Sequence, residues 1–112
     1  MKILKDILYK VAIESVTGST DVNIHKIDFD SRKIEEKDVF VAIRGSLSDG
    51  HDYISKAIQL GAVAVICDTL PENIEKGITY IKVKDTNTAL AFMAANYFGD
   101  PSEKLKLVYY QL

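Results

Sequence analysis

The chain is 112 residues long, carries a formal net charge of −2, and has 47% hydrophobic residues. This length predicts one domain, and the hydrophobic content excludes a disordered protein. The absence of a basic stripe argues against nucleic acid as a partner, and no apolar run approaches the ~20 residues of a membrane span. A lone cysteine, Cys67, cannot form an internal disulfide, and the first residues do not have the pattern of a secretory signal. We therefore expect a cytoplasmic protein.

The first third of the chain predicts a helix followed by two short strands. Apolar residues between positions 3 and 13 have the spacing of one helix face, and turn-forming residues follow at 17–21. Residues 22–24 and 27–29 alternate between apolar and polar, as half-exposed strands do. The alternation slips at residues 25–26, where we expect a bulge or a break.

The middle third predicts a strand, a helix and a second strand. Residues 39–43 are apolar throughout, which is typical of a strand covered on both faces. Helical spacing follows over residues 53–60, and Gly61 suits the end of that helix. Residues 63–67 then form a second apolar run, so the three elements make a βαβ unit.

The last third predicts a loop, a strand and a helix. Residues 71–77 are polar, and residues 78–83 have the composition of a strand. Asp85 is a suitable N-cap for a helix that stops at residues 99–101, and residues 105–110 suit a final strand. The predicted fold class is α/β, with a small, mostly parallel (mixed) sheet flanked by helices.

Two loops carry the residues with the clearest binding chemistry. Ser31 can donate and accept a hydrogen bond at once, which suits the edge of a pyrimidine base. Its neighbour Arg32 pairs either with a phosphate or with one of the carboxylates Asp30 and Asp49. The Gly- and Ser-rich loop at 45–50 either offers backbone N–H groups to an anionic ligand or is an ordinary turn.

No catalytic or metal-binding pattern accompanies these loops. His51 begins a helix, and a capping or packing role is favoured over contact with a ligand, while His25 is interpreted as a surface residue. No spacing of His, Cys and carboxylates forms a metal site, and neither a nucleophile elbow nor a P-loop is present. We predict a binding domain with no catalytic residue and no metal ligand of its own.

The same stretches resemble the Mur ligases, ATP-dependent enzymes that build the peptide stem of peptidoglycan. The resemblance is carried by Asp30-Ser31-Arg32-Lys33-Ile34, residues 38–45, Asp49-Gly50-His51-Asp52-Tyr53-Ile54, and residues 96–102 with Leu105-Lys106-Leu107-Val108. Residues 96–108 resemble most the tripeptide synthetases of the family, which add the third residue of the stem.

The resemblance implies that residues 1–104 bind UDP-N-acetylmuramoyl-dipeptide through its uridine end. It assigns substrate contacts to Phe29, Asp30, Ser31, Ser46, Leu47 and Ser48, with Arg32, Asp49 and His51 as secondary positions. In the family, ATP and Mg²⁺ bind a central ATPase domain, which is the second expected partner. Residues 105–112 are interpreted as the start of that domain, truncated, or as a non-native tail. The chain alone is therefore expected to hold no cofactor and to be inactive as a ligase.

Two alternatives stay open. In the first alternative, the chain is a non-enzymatic α/β scaffold or interaction module without a ligand. In the second, it is the N-terminal domain of the Mur ligase that adds D-Ala-D-Ala.

Overall fold

A five-stranded sheet with helices on both faces organises residues 2–99, the part of the chain that this computed structural model describes. The strands are β1 (Lys2–Ile3), β2 (Ile13–Thr17), β3 (Asn23–Ile24), β4 (Ile27–Asp28), β5 (Val39–Val41), β6 (Ala64–Cys67) and β7 (Thr79–Val83). The helices are α1 (Leu4–Ile7), α2 (Ile54–Gln59) and α3 (Thr86–Phe98), with single 3₁₀ turns at Ser31–Lys33 and Gly50–Tyr53. The predicted α/β fold class is confirmed.

The sheet is mixed, with one antiparallel strand at its edge. Its strand order is β2-β7-β6-β5-β4, and β4 to β7 are mutually parallel. Strand β2 pairs antiparallel with β7, while β1 and β3 form a separate two-stranded pair. The parallel pairing of β5 and β6, with α2 between them in the chain, confirms the predicted βαβ unit.

Alternate side chains of the central strands fill two cores, one on each face of the sheet. Val39, Ala64 and Ile81 pack with α1 and α3 on the first face. Phe40 and Tyr80 pack with α2 on the second face. Because a strand directs successive side chains to opposite faces, a strand that is apolar throughout must be covered on both sides. The uninterrupted apolar runs of the middle third therefore correspond to the buried centre of the sheet.

One sequence prediction at the N-terminus is wrong. The helix expected over residues 3–13 is limited to Leu4–Ile7, and Ile13–Thr17 forms the edge strand β2. Lys10 has a φ of 69°, a left-handed conformation that no helix continues through. Ile13 and Val16 are partly exposed and pair with β7, since β-branched side chains fit a strand better than a helix.

Several local predictions are confirmed. The backbone leaves strand geometry between β3 and β4, at residues 25–26. Gly61 has a φ of 120°, and a Cβ there would lie 2.6 Å from the Cα of Glu36, so only glycine fits behind α2. Asp85 caps α3 by accepting a hydrogen bond from the N–H of Asn87. The predicted strand at 105–110 and the boundary after residue 104 lie outside the described residues.

Candidate functional site

A pocket of about 570 Å³ opens beyond the carboxyl ends of β4 and β5. Its walls are formed by Phe29, Asp30, Ser31, Arg32, Phe40, Ile43, Gly45, Ser48, Gly50, Tyr53 and Lys56. This edge of a parallel sheet is where open α/β folds bind their ligands, because connecting loops leave a crevice there. The structure thus brings together the two loops that were singled out in the sequence.

The first wall is a turn held by an ion pair between neighbouring residues. Oδ1 of Asp30 accepts hydrogen bonds from the backbone N–H and the Nε–H of Arg32, each at 3.0 Å. Nη2 of Arg32 donates to the other oxygen of Asp30 at 2.9 Å. These bonds from Arg32 lower the pKa of Asp30 to about 2. Of the two carboxylates considered for Arg32, Asp30 is the one that it pairs with, and contact of Arg32 with a phosphate stays a prediction.

Ser31 contributes an accessible hydroxyl to the same wall. The residue is only 8% exposed, and among residues 2–99 its Oγ has no hydrogen-bond partner. Every fully buried polar side-chain atom of the described residues has a hydrogen-bond partner, so the unpartnered Oγ of Ser31 keeps some accessible surface, and Ser31 lines the pocket. A ligand group that reaches this hydroxyl can hydrogen-bond to it without breaking a hydrogen bond within the protein.

The second wall is a short hairpin formed by residues 43–50. The N–H of Gly50 donates to the carbonyl of Ile43 at 2.7 Å, and the N–H of Gly45 donates to the carbonyl of Ser48 at 2.8 Å. A Cβ on Gly50 would lie 2.7 Å from the Ile43 nitrogen, so the two backbones approach too closely for any side chain. This close approach explains the glycine in the Asp-Gly pair of the sequence.

The hairpin residues predicted to contact substrate occupy two different positions. Ser48 lines the pocket, whereas Ser46 and Leu47 form the tip of the hairpin, outside the pocket wall. Leu47 is 99% exposed. Phe29, on the opposite loop, lines the pocket with a half-exposed ring. The contacts assigned to all four residues stay predictions.

His51 packs behind the hairpin. Its Nε2 accepts a hydrogen bond from the N–H of Asp68 at 3.1 Å, so Nδ1 carries the proton and donates to Asp49 at 2.7 Å. Asp49 in turn caps the 3₁₀ turn by accepting from the N–H of His51. His51 itself has an imidazole that is 11% exposed and bonded at both nitrogens, so it packs in the structure while Asp49 supplies the cap; contact of His51 with a ligand stays a prediction.

Arg44 joins the hairpin to the carboxyl end of β6, and sequence reasoning missed it. Its Nη2 lies 2.7 Å from Oδ1 of Asp68, its Nε lies 3.0 Å from Oδ2, and its Nη1 contacts Asp49. The hydrogen bond from Arg44 is the main cause that lowers the pKa of Asp68. A sequence signal did exist, because Arg44 and Asp68 directly follow the two predicted strands 39–43 and 63–67, and the residues after parallel strands meet at one edge of the sheet.

A second polar cluster lies at the amino ends of β4 and β5, away from the pocket. Asp38 is fully buried and accepts hydrogen bonds from Lys26 at 2.6 Å and from the N–H of Glu35 at 2.7 Å, with His25 Nδ1 at 3.1 Å. Ligand atoms of His25, Glu35 and Asp38 lie within 4.8 Å of one another, as in a metal site. The Lys26 ammonium already supplies the positive charge that this buried carboxylate requires. His25 itself is half exposed, which confirms its interpretation as a surface residue.

A further pocket, of about 610 Å³, lies between α1 and the end of α3. Its polar side chain Asn96 is already bonded to the carbonyls of Ile7 and Tyr9. It also borders Gly99, at the end of α3.

Comparisons with known proteins agree with the resemblance found in the sequence. The family described as "Mur ligase family, catalytic domain" matches residues 23–98. Curated relatives include the UDP-N-acetylmuramoyl-L-alanyl-D-glutamate--2,6-diaminopimelate ligases of Cytophaga hutchinsonii, 51% identical over 107 residues, and of Clostridium tetani, 43% identical over 107 residues. The match covers 94% of this chain and 22% of each of these relatives, so the chain spans about a fifth of their length.

Solved structures of another member of the family share the fold. The MurF ligase of Thermotoga maritima, in complex with ADP, aligns with a TM-score of 0.58 and 32% identity over 67% of this chain and 17% of that chain. The UDP-N-acetylmuramoylalanyl-D-glutamyl-2,6-diaminopimelate--D-alanyl-D-alanyl ligase of Acinetobacter baumannii aligns with a TM-score of 0.55 and 30% identity, over 65% of this chain and 16% of that chain. The sequence prediction of a Mur ligase domain, similar to the tripeptide synthetases, is confirmed by these matches. The chain belongs to the Mur ligase family.

Proposed function

We propose that this chain binds the uridine end of UDP-N-acetylmuramoyl-dipeptide, as one domain of an ATP-dependent ligase of peptidoglycan precursor synthesis. The observation that carries the proposal is the Ser31 hydroxyl, unpartnered among the described residues and accessible on the wall of a pocket at the ends of parallel strands. A hydroxyl that both donates and accepts matches the alternating donor and acceptor edge of uracil.

The shape of the pocket supports a flat, partly apolar ligand group. The aromatic rings of Phe29 and Tyr53 line it together with Ile43, so a pyrimidine ring would find apolar contact beside the hydrogen bonds of Ser31. The 3₁₀ turn that begins at Ser31 is fixed by internal hydrogen bonds, and the hairpin opposite it is closed by two backbone hydrogen bonds and joined to Asp68 by Arg44. Such a largely preformed site loses little conformational entropy on binding.

The charge of the pocket supports an anionic ligand. Its charged lining residues are one carboxylate, Asp30, and two cations, Arg32 and Lys56. Arg32 is engaged with Asp30, while Lys56 has no ion-pair partner among residues 2–99. The net positive charge suits the diphosphate that follows a uridine.

The remaining parts of the proposal come from the family. The names of the curated relatives specify a UDP-N-acetylmuramoyl-L-alanyl-D-glutamate ligase that adds 2,6-diaminopimelate. We assign ATP and Mg²⁺ to the central ATPase domain of such an enzyme, which would be the partner of this chain, and we place the protein in the cytoplasm. Among residues 2–99 no helix is long and apolar enough to cross a membrane.

An NMR titration tests the proposal directly. Proton–nitrogen spectra of the chain are recorded with UDP, with AMP as the matched nucleotide control, and again with the Ser31→Ala variant. A site that contacts only the nucleotide end should bind with a dissociation constant on the order of 0.1–1 mM. We expect UDP alone to shift the amides of residues 29–32 and 45–53, and Ser31→Ala to weaken this response. Equal shifts with AMP, or none at several millimolar UDP, would contradict the proposal.

A further inference from the structure

We propose that Arg44 is a positioning residue for this pocket: together with Asp68 it latches the hairpin of residues 43–50 to the end of β6 and never touches the ligand. The inference rests on the proposed function, because it explains how one wall of the uridine site keeps its shape. The latch is defined as the side chains of Arg44, Asp49, His51 and Asp68.

The two sides of the hairpin have different tasks. Gly45, Ser48 and Gly50 face the pocket, whereas Arg44 does not line it. Arg44 and Asp49 are paired across the hairpin as an antiparallel bridge, so their side chains lie next to each other. Their charged groups contact each other and extend to Asp68 on the next strand end. One side of the hairpin therefore contacts the rest of the domain, while the other side faces the pocket.

The hairpin needs this support because its own interactions are few. Its backbone pairing consists of the Gly45–Ser48 and Gly50–Ile43 hydrogen bonds, and its tip residue Leu47 is almost fully exposed. An isolated two-stranded hairpin is only marginally stable in water. The contacts that hairpin side chains make with the rest of the protein therefore fix the position of the hairpin over the pocket.

The geometry of the latch is of the kind that fixes position. Arg44 meets Asp68 through two parallel N–H···O bonds, at 2.7 and 3.0 Å, and adds a third bond to Thr69 at 3.1 Å. A bidentate pair of this type restrains direction as well as distance, unlike a single surface ion pair. Arginine is required for it, since a lysine ammonium offers a point charge and no planar fork.

His51 gives the hairpin a second connection to Asp68, so the loss of Arg44 does not detach the hairpin completely. It connects Asp49 to the N–H of Asp68 independently of Arg44, with bonds of 2.7 and 3.1 Å. Without Arg44, residues 49–51 therefore stay anchored, while residues 44–48 lose their side-chain attachment to Asp68. The expected defect is a displaced hairpin in a folded domain.

The test compares Arg44→Ala, Arg44→Lys and Asp68→Asn with the wild-type chain. The matched control is Glu14→Ala, which removes the exposed Lys82–Glu14 ion pair from the side of the edge strand β2. We expect Arg44→Ala to raise the dissociation constant for UDP roughly three- to tenfold, Arg44→Lys to raise it less, and Glu14→Ala to leave it unchanged. Because Arg44 and Asp68 act as one unit, the double variant Arg44→Ala/Asp68→Asn should bind UDP no more weakly than Arg44→Ala alone.

A second readout separates the latch from the proposed function. Amide hydrogen exchange of Gly45 in the ligand-free chain should accelerate in Arg44→Ala and not in Glu14→Ala. If the wild-type chain binds UDP and Arg44→Ala binds it equally well, the latch is refuted. If the wild-type chain binds no UDP, the uridine site is refuted, and unchanged hydrogen exchange in Arg44→Ala would refute the latch as well.

Discussion

Replacing Gly50 by alanine should open the base of the hairpin and destabilise the domain. The added Cβ would lie 2.7 Å from the nitrogen of Ile43, 2.9 Å from its oxygen and 3.1 Å from the Cα of Ala42. All three are backbone atoms of the strand that enters the hairpin, so no side-chain rotation relieves the overlap. The hairpin strands must instead move apart.

The magnitude follows from two contributions. Forcing an extra methyl group against fixed backbone costs about 1–3 kcal/mol. Moving the strands apart also breaks the 2.7 Å hydrogen bond from Gly50 to Ile43, for a further loss of about 0.5–1.5 kcal/mol. We therefore expect the free energy of unfolding of Gly50→Ala to fall by about 2–4 kcal/mol, a large share of the ~5–15 kcal/mol typical of a domain.

Urea unfolding of the wild-type chain and the variant measures this loss. At a slope of about 1 kcal/mol per molar urea, the midpoint should fall by about 2 M or more. Gly77→Ala is the control, since φ at Gly77 is 82° but a Cβ there meets no atom within 4 Å. That variant should lose only the ~1–2 kcal/mol of backbone strain and keep its response to UDP. A Gly50→Ala chain within about 0.5 kcal/mol of wild type would refute the close backbone approach.

Three further predictions concern charge and reactivity. Since the pKa of Asp30 is about 2 when folded and near 3.8 when unfolded, its contribution to stability is complete above pH 3.8 and is lost as the pH falls toward 2. Acid unfolding of Asp30→Asn should therefore show a smaller change over this range, and an unchanged profile would contradict the Arg32 ion pair. Lys56→Ala should weaken binding of UDP more than binding of uridine, measured by NMR titration; an equal effect on both ligands would exclude a phosphate contact. Burial raises the pKa of Cys67 to about 11, so its thiol should react with iodoacetamide only in unfolding concentrations of urea, and rapid labelling of the native chain would show that β6 is accessible.

The sheet centre could be predicted from sequence because its pattern has one physical solution. The apolar runs at 39–43 and 63–67 are too short for a helix in a core and too long to be exposed, so they must be strands covered on both faces. The edge strand β2 was missed because the helical spacing of residues 3–12 runs up to its first residue, and a register shift between Ile13 and Ser15 breaks the apolar-polar alternation that marks a strand. The left-handed backbone at Lys10, which separates helix from strand, has no sequence signal comparable to a glycine.

The loops of the candidate site could be predicted from the sequence, but the hydrogen bonds that connect them could not. Asp30, Ser31 and the Asp49-Gly50 pair were identified from turn chemistry, which depends on neighbours in the chain. The contact between Arg44 and Asp68 spans 24 positions and depends on the order of strands in the sheet. Whether Arg32 pairs with Asp30 or Asp49 was likewise open in the sequence, because Asp49 is already occupied by Arg44 and His51 only in the folded chain.

The most direct test of the account is a crystal structure of this chain soaked with UDP. We expect the uracil edge to lie within hydrogen-bond distance of the Ser31 hydroxyl, with the ring between Phe29 and the hairpin and the diphosphate toward Lys56. A uracil bound elsewhere on the chain, or no nucleotide in the pocket at a concentration that saturates the NMR response, would contradict the central claim.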